Sequence, residues 1–93
     1  MLTVTITQSA IDAAAWNMCG YCPIACALEA LTGIRWFVTQ VDVVPLARLC
    51  DRDWPHVLLP EEARAWVKRG DAGEPVEPIT FPLPLAPADW LAA

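Results

Sequence analysis

Three prolines alternate with large apolar residues near the C-terminus, and this alternation restricts the fold more than any other feature of the sequence. The residues concerned are, in order, Pro78, Ile79, Thr80, Phe81, Pro82, Leu83, Pro84 and Leu85. In a β-strand, residues two apart direct their N–H groups to the same side, and proline has no N–H group. We therefore predict an edge strand over residues 76–85 whose open side is blocked against pairing with another strand.

The N-terminal residues alternate in the same way, with apolar residues at Leu2, Val4 and Ile6 between threonines. This pattern predicts a half-buried strand over residues 2–6. Ser9 and Asp12 then resemble a capping box, which predicts a short helix over residues 10–16.

Two further helices are marked by the residues at their ends. Pro23 is typical of a first helical turn and Gly33 of the position just past a helix. Because apolar residues recur between them at helical spacing, we expect this helix to be buried on most of its circumference. The second helix is predicted to begin at Pro60 and to stop at Gly70, with acidic residues in its first turn and basic residues in its last.

Residues 34–44 are rich in β-branched and aromatic side chains, which predicts one long strand or two short strands with a turn near Thr39 and Gln40. Residues 46–55 could form a helical turn or an irregular loop, of which we favour the loop, and residues 56–59 are predicted to form a short strand. The order of elements predicts an α+β fold, with a small sheet of three to five strands and about three helices packed mainly on one face. Residues 1–85 would form a single domain, and residues 86–93 a tail that packs on its own domain or on a neighbouring copy.

The composition excludes several classes of protein. The 93 residues are 56% hydrophobic and 18% charged, the reverse of a disordered chain. No apolar run approaches the roughly 18 residues that a membrane span needs, and Met1–Thr5 lacks the cationic start of a signal peptide. We expect a cytoplasmic protein that does not bind membranes.

The charge balance argues against nucleic acid as a partner. The net charge is −5, and the basic residues cluster only at Arg64, Lys68 and Arg69. Binding to a phosphate backbone depends on clustered positive charge, and this group is one predicted helix end.

A short chain with this much apolar sequence is expected to leave some of it exposed. Tryptophan is enriched at the centres of protein interfaces, and the chain has five. Trp16, Trp54 and Trp90 lie near predicted loops or the terminus, so we predict that they are partner-binding residues. The partner would be another protein or a second copy of the chain, as in a homodimer.

The four cysteines, Cys19, Cys22, Cys26 and Cys50, allow three interpretations. Cys19 and Cys22 form a CxxC pair near a helix start, which in a redox protein would lower a thiol pKa, but a helix intervenes between the motif and the preceding strand. All four could instead form a closed zinc site, although this spacing is unusual for zinc. The third interpretation, which we favour, is that they are small buried apolar residues.

No pattern of catalytic residues is present. His56 is the sole histidine, and the chain contains neither a glycine-rich phosphate loop nor an HExxH motif. The sequence therefore predicts a protein without catalytic residues, metal or cofactor.

Four blocks of sequence carry a resemblance to a known family: Val4–Thr7 with Ile11 and Asp12, Cys22–Leu28, Leu59–Trp66, and Asp71–Phe81. In this order they resemble a family of short uncharacterised proteins encoded by phages of actinobacteria and by their hosts. The resemblance implies an accessory product of a phage genome, acting in the host cytoplasm, and it brings no activity or catalytic residue. Cys22 matches the family's Cys-Pro-Ile-Ala block, whereas Cys19, Cys26 and Cys50 have no counterpart, which counts against a shared metal site.

These observations together predict a small noncatalytic accessory protein that acts through protein–protein interaction. The alternative is a thiol or zinc protein that uses the Cys19–Cys26 segment with Cys50.

Overall fold

The alternating and capped segments of the sequence form nine regular elements in the part of the chain described by the computed structural model, residues 1–18 and 20–93. Along the chain these are β1 (Leu2–Ile6), α1 (Gln8–Asp12), α2 (Pro23–Thr32), β2 (Trp36–Val38), β3 (Asp42–Pro45), β4 (Val57–Leu58), α3 (Glu61–Asp71), β5 (Ile79–Leu83) and α4 (Ala88–Leu91). A 3-10 turn at Leu46–Arg48 follows β3. The predicted α+β class is confirmed.

The strands divide into two sheets, whereas a single sheet was expected. β1 and β5 form an antiparallel pair in which Thr3 lies opposite Pro82, and β2, β3 and β4 form a separate antiparallel sheet in that order. Pro82, followed by Pro84, removes N–H donors from the outer side of β5, which disfavours pairing with a further strand on that side. The prediction of a proline-blocked edge strand near the C-terminus is thus confirmed.

The first helix lies earlier than predicted. α1 begins at Gln8 because the hydroxyl of Thr7, not that of Ser9, accepts a hydrogen bond from the N–H of Ala10 at 3.2 Å. It ends at Asp12, and the chain continues to Trp16 without regular structure. Ser9 and Asp12 therefore do not form the predicted capping box.

Helix α2 packs between the two sheets, against β1 and β2. Its predicted ends are confirmed, since Pro23 occupies the first position and Gly33, at φ 79°, adopts the left-handed conformation that ends the helix. Burial around the helix is less complete than expected. Ile24, Ala25 and Leu28 are buried, but Cys26, Glu29 and Ala30 are exposed.

Helix α3 extends one residue past its predicted stop. Gly70 is buried inside the helix, and a Cβ atom there would overlap the six-membered ring of Trp16. Glycine is needed at this position for the close approach of an indole ring, and the helix continues to Asp71.

The hydrophobic core lies where α2 and α3 cover the strands. Its largest fully buried side chains are Trp36, Trp66, Phe81, Ile6, Ile24, Leu28, Leu59 and Leu83. The two core tryptophans also satisfy their polar atoms, with Trp36 Nε1 donating to Thr32 Oγ1 at 2.8 Å and Trp66 Nε1 to the carbonyl of Glu77 at 2.7 Å. None of the described helices combines the length and the apolar character that crossing a bilayer requires.

Candidate functional site

An apolar pocket lies between the three-stranded sheet and the C-terminal tail. It has a volume of about 190 Å³, and we call it the Trp54 pocket. Its lining residues are Trp36, Val43, Pro45, Trp54, Pro55, Val57, Leu85, Ala88 and Asp89. The strands supply the floor and α4 one wall, so the pocket combines residues that are far apart in the sequence.

Arg48 fixes the position of Trp54, the loop residue that forms one wall of this pocket. Its guanidinium carbon lies 4.5 Å from the centre of the Trp54 ring, a cation–π contact that orients the indole. The same guanidinium donates to the carbonyl of Ala92 at 2.8 Å and pairs with Asp51 at 3.4 Å. Arg48 therefore connects the loop that carries Trp54 to the tail that forms the opposite wall.

Asp89 is the one charged residue among those that line the Trp54 pocket. Its Oδ2 accepts a hydrogen bond from the N–H of Ala86 at 2.6 Å, which fixes the carboxylate at the start of α4. The pocket thus combines a mainly apolar lining with one negative charge.

A second pocket, of about 230 Å³, lies beside the N-terminus of α2. Asp71 lines this pocket and accepts hydrogen bonds from the backbone N–H of Asn17 at 3.1 Å and from the side chain of Gln40 at 3.1 Å. The amide of Asn17 in turn donates to the Asp71 carbonyl at 3.0 Å. Because its polar groups bond to one another, we interpret this network as one that joins α3 to two loops.

Cys22 lines this second pocket, but its thiol serves the helix. Cys22 is 5% exposed, and its Sγ accepts a hydrogen bond from the N–H of Ala25 at 3.4 Å as the cap of α2. Burial raises the pKa of this thiol to about 11. The prediction of a buried apolar cysteine fits Cys22, whereas Cys26 and Cys50 are exposed.

The proposed zinc ligands are only partly described. Cys19 lies outside the described residues, and among the rest no three His, Cys, Asp or Glu side chains lie close enough together to bind one metal ion. The structure therefore does not bring Cys22, Cys26 and Cys50 into one cluster. A zinc site that includes Cys19 stays a prediction.

The three tryptophans predicted to bind a partner occupy different surroundings. Trp54 is half-buried at the Trp54 pocket, and Trp90 is half-buried against the core from the adjacent tail. Trp16 lies elsewhere, with its ring centre 5.2 Å from that of Trp66. Of the three, Trp54 alone lines the candidate site, and the predicted contacts of Trp16 and Trp90 with a partner stay predictions.

Sequence reasoning missed the other residues of this site. The sequence assigns Val57 and Leu85 to strands and places Pro45 just past a strand, and it gives Arg48 and Asp89 no role. The loop sequence contains one indication of the contact between Arg48 and Trp54. An arginine six residues before a tryptophan can stack on its ring only if the loop turns back, and Asp51 and Asp53 favour such turns.

Comparisons of the chain with protein-family models, with curated proteins and with solved structures gave no match. The class of protein is therefore defined by the fold and site alone: a small α+β domain with an apolar pocket walled by a tryptophan.

Proposed function

We propose that the chain is a small noncatalytic accessory protein of the phage type, which binds a host protein through the Trp54 pocket. The observation that carries the proposal is the size and lining of this pocket. Its volume of about 190 Å³ is below the roughly 300–1,000 Å³ of pockets that enclose drug-sized ligands. It is suited to a single apolar side chain, and interfaces between proteins are anchored by such side chains.

The charges of the chain support a partner with a basic rim around its apolar anchor. Asp89 lies in the wall of the pocket, and the whole chain has a net charge of −5. Opposite charges around an interface speed association and select among partners. The preferred ligand is therefore an apolar or aromatic side chain flanked by Lys or Arg.

Loss of the Trp54 ring is expected to abolish this binding. We would select ligands for the wild-type domain from a surface-displayed library of random peptides and measure the affinity of the selected peptides for variants. Trp54→Ala should weaken binding by at least about 2 kcal/mol, the usual cost of removing an interface anchor, which is about 30-fold in Kd. Affinity should also fall as salt concentration rises, because exposed charges are screened.

The chain offers a matched control for this experiment. Tyr21 is another exposed aromatic residue covered by an arginine, with the Arg35 guanidinium carbon 4.6 Å from its ring centre, and it does not line the Trp54 pocket. Tyr21→Ala should leave the affinity unchanged. Equal effects of the two substitutions, or selected peptides without an apolar anchor beside a basic residue, would count against the proposal.

A further inference from the structure

Strand β1 has one free edge, and the register of the β1–β5 pair shows which backbone groups lie on it. Thr3 is opposite Pro82. Opposed residues of antiparallel strands alternate between pairs that exchange both hydrogen bonds and pairs that exchange none. Because Pro82 cannot donate, the Thr3–Pro82 pair belongs to the second kind, as does the Thr5–Thr80 pair two residues along. The N–H and C=O groups of Thr3 and Thr5 therefore point away from β5.

These outward groups have no strand beside them. β1 pairs only with β5, and no backbone hydrogen bond to Thr3 or Thr5 from outside this pair occurs within the described residues. Both threonines are exposed. An edge with unpaired N–H and C=O groups is a template for a further strand.

The β1–β5 pair forms a two-stranded ribbon, and the residues on its two edges differ. The outer edge of β5 contains Pro82 and is followed by Pro84, and both residues are exposed. β1 contains neither proline nor charge, although blocking an edge with one of these is the usual protection against pairing. Of the two edges of the β1–β5 pair, the β1 edge is therefore the one that is open to a partner strand.

A second copy of β1 fits this edge for two reasons. Antiparallel pairing of identical strands obeys the two-fold symmetry of most homodimers. If Val4 lies opposite Val4 of the second copy, Thr3 lies opposite the second copy's Thr5, and each such pair joins residues whose N–H and C=O groups point outward. The strand is also uncharged in a chain of net charge −5, so two copies meet there without like charges facing each other.

We propose that the protein forms a symmetric homodimer through antiparallel pairing of β1 with β1 of a second copy. The two ribbons, of two strands each, then form one continuous sheet with β5 at both ends. This dimer does not use the Trp54 pocket. Evidence against the dimer would therefore not count against the proposed function, and evidence against the proposed function would not count against the dimer.

The substitution Thr5→Pro tests the proposal. It removes an outward N–H from β1 and leaves the bonds to β5 in place, as Pro82 does on the other strand. Its matched control is Thr80→Pro, because Thr80 faces Thr5 across the ribbon, with the two hydroxyl oxygens 3.3 Å apart. Both variants lose this side-chain hydrogen bond, but only Thr5→Pro blocks the free edge.

Sedimentation equilibrium of the untagged chain should give twice the chain mass of 10.2 kDa for the wild type and for Thr80→Pro. Thr5→Pro should raise the dimer dissociation constant by about 25-fold or more, since two symmetry-related hydrogen bonds are lost at a factor of about five each. A monomeric wild type, or equal dissociation constants for the two variants, would overturn the proposal.

If Thr5→Pro does not fold, amide hydrogen exchange of the wild type provides a second test of the dimer. The amides of Thr3 and Thr5 should exchange more slowly as protein concentration rises, because dimerisation buries them in hydrogen bonds. The amide of Thr80, on the blocked edge, should exchange at the same rate at every concentration. Concentration-independent exchange at Thr3 and Thr5 would overturn the dimer.

Discussion

The Cys22 thiol caps helix α2 from a buried position. It accepts a hydrogen bond from the N–H of Ala25 at 3.4 Å, and Pro23 occupies the next position, where a missing N–H costs nothing. Burial raises the pKa of the thiol to about 11, so it stays protonated at neutral pH. We assign Cys22 to the helix cap because its Sγ is buried and accepts this hydrogen bond.

The raised pKa of Cys22 predicts a loss of stability at alkaline pH. The thiol binds its proton more tightly in the folded than in the unfolded chain, whose pKa is near 9.0, so the stabilisation is complete below pH 9 and is lost as the pH rises towards 11. The free energy of unfolding should fall by about 2–3 kcal/mol across this window. Urea unfolding at a series of pH values measures it.

Two variants distinguish the effect of the Cys22 thiol from the effects of other groups that titrate at alkaline pH. Cys22→Ser retains a capping side chain but does not titrate in this range, so it should remove this part of the pH dependence. Cys26→Ala, at the exposed cysteine one turn later, should retain it. An unchanged slope in Cys22→Ser would show that the loss has another origin.

At the scale of residues, the sequence predicted those features that depend on neighbouring residues alone. Pro23 and Gly33 marked the ends of α2 correctly because their backbone preferences are local. The predicted cap of α1 at Ser9 is wrong, because the hydroxyl of Thr7 is the one that reaches the N–H of Ala10. Gly70 was wrongly taken as a helix stop because its small size is required by Trp16, which is distant in the sequence.

At the scale of elements, Trp16 joins the segment after α1 to helix α3. Its ring lies against Gly70 and at 51° to the ring of Trp66, with 5.2 Å between the two centres. Tilted aromatic pairs at this separation are favourable. The next residue, Asn17, has φ 65°, and its backbone N–H donates a hydrogen bond to Asp71. The packing of Trp16 and this hydrogen bond therefore hold the same two segments together.

The Trp16–Gly70 contact predicts that one substitution has opposite effects in two backgrounds. In the wild type, Gly70→Ala should destabilise the domain by about 1–3 kcal/mol, because the added methyl group overlaps the indole ring. In a Trp16→Ala background the overlap is gone, and Gly70→Ala should stabilise the domain by about 0.5–1 kcal/mol through its preference for helix. Chemical unfolding of the four chains measures both effects, and the same sign in both backgrounds would refute the proposed contact.

The candidate site could be predicted only in part, because its elements meet through long-range contacts. Trp54 was selected for its place near a loop, and the structure does place it at the pocket. Nothing local to the sequence brings Leu85, which follows β5, to the pocket beside Val43 and Val57, which are paired in the other sheet. Sequence patterns specify which face of a strand is apolar, but not which strands become neighbours.

At the scale of the whole molecule, the C-terminal tail is packed against the domain. Trp90 lies half-buried against the core, and Arg48 donates to the carbonyl of Ala92 at 2.8 Å. The radius of gyration is 12.3 Å, close to the value of about 12 Å expected for one folded unit of this length. The tail therefore contributes to the same packed unit and supplies one wall of the Trp54 pocket.

If the tail docks on its own chain, substitution of Trp90 should lower stability by the same amount at every protein concentration. Trp90→Ala should lower the free energy of unfolding by about 1–2 kcal/mol, because a half-buried indole is removed from the core. Its neighbour Leu91 is 77% exposed, so Leu91→Ala should change stability little and serves as the matched control. If the tail packed instead on a neighbouring copy, the difference between Trp90→Ala and the wild type would shrink as the protein is diluted. Thermal unfolding over a range of protein concentrations decides between the two arrangements, and a difference that disappears on dilution would contradict docking within one chain.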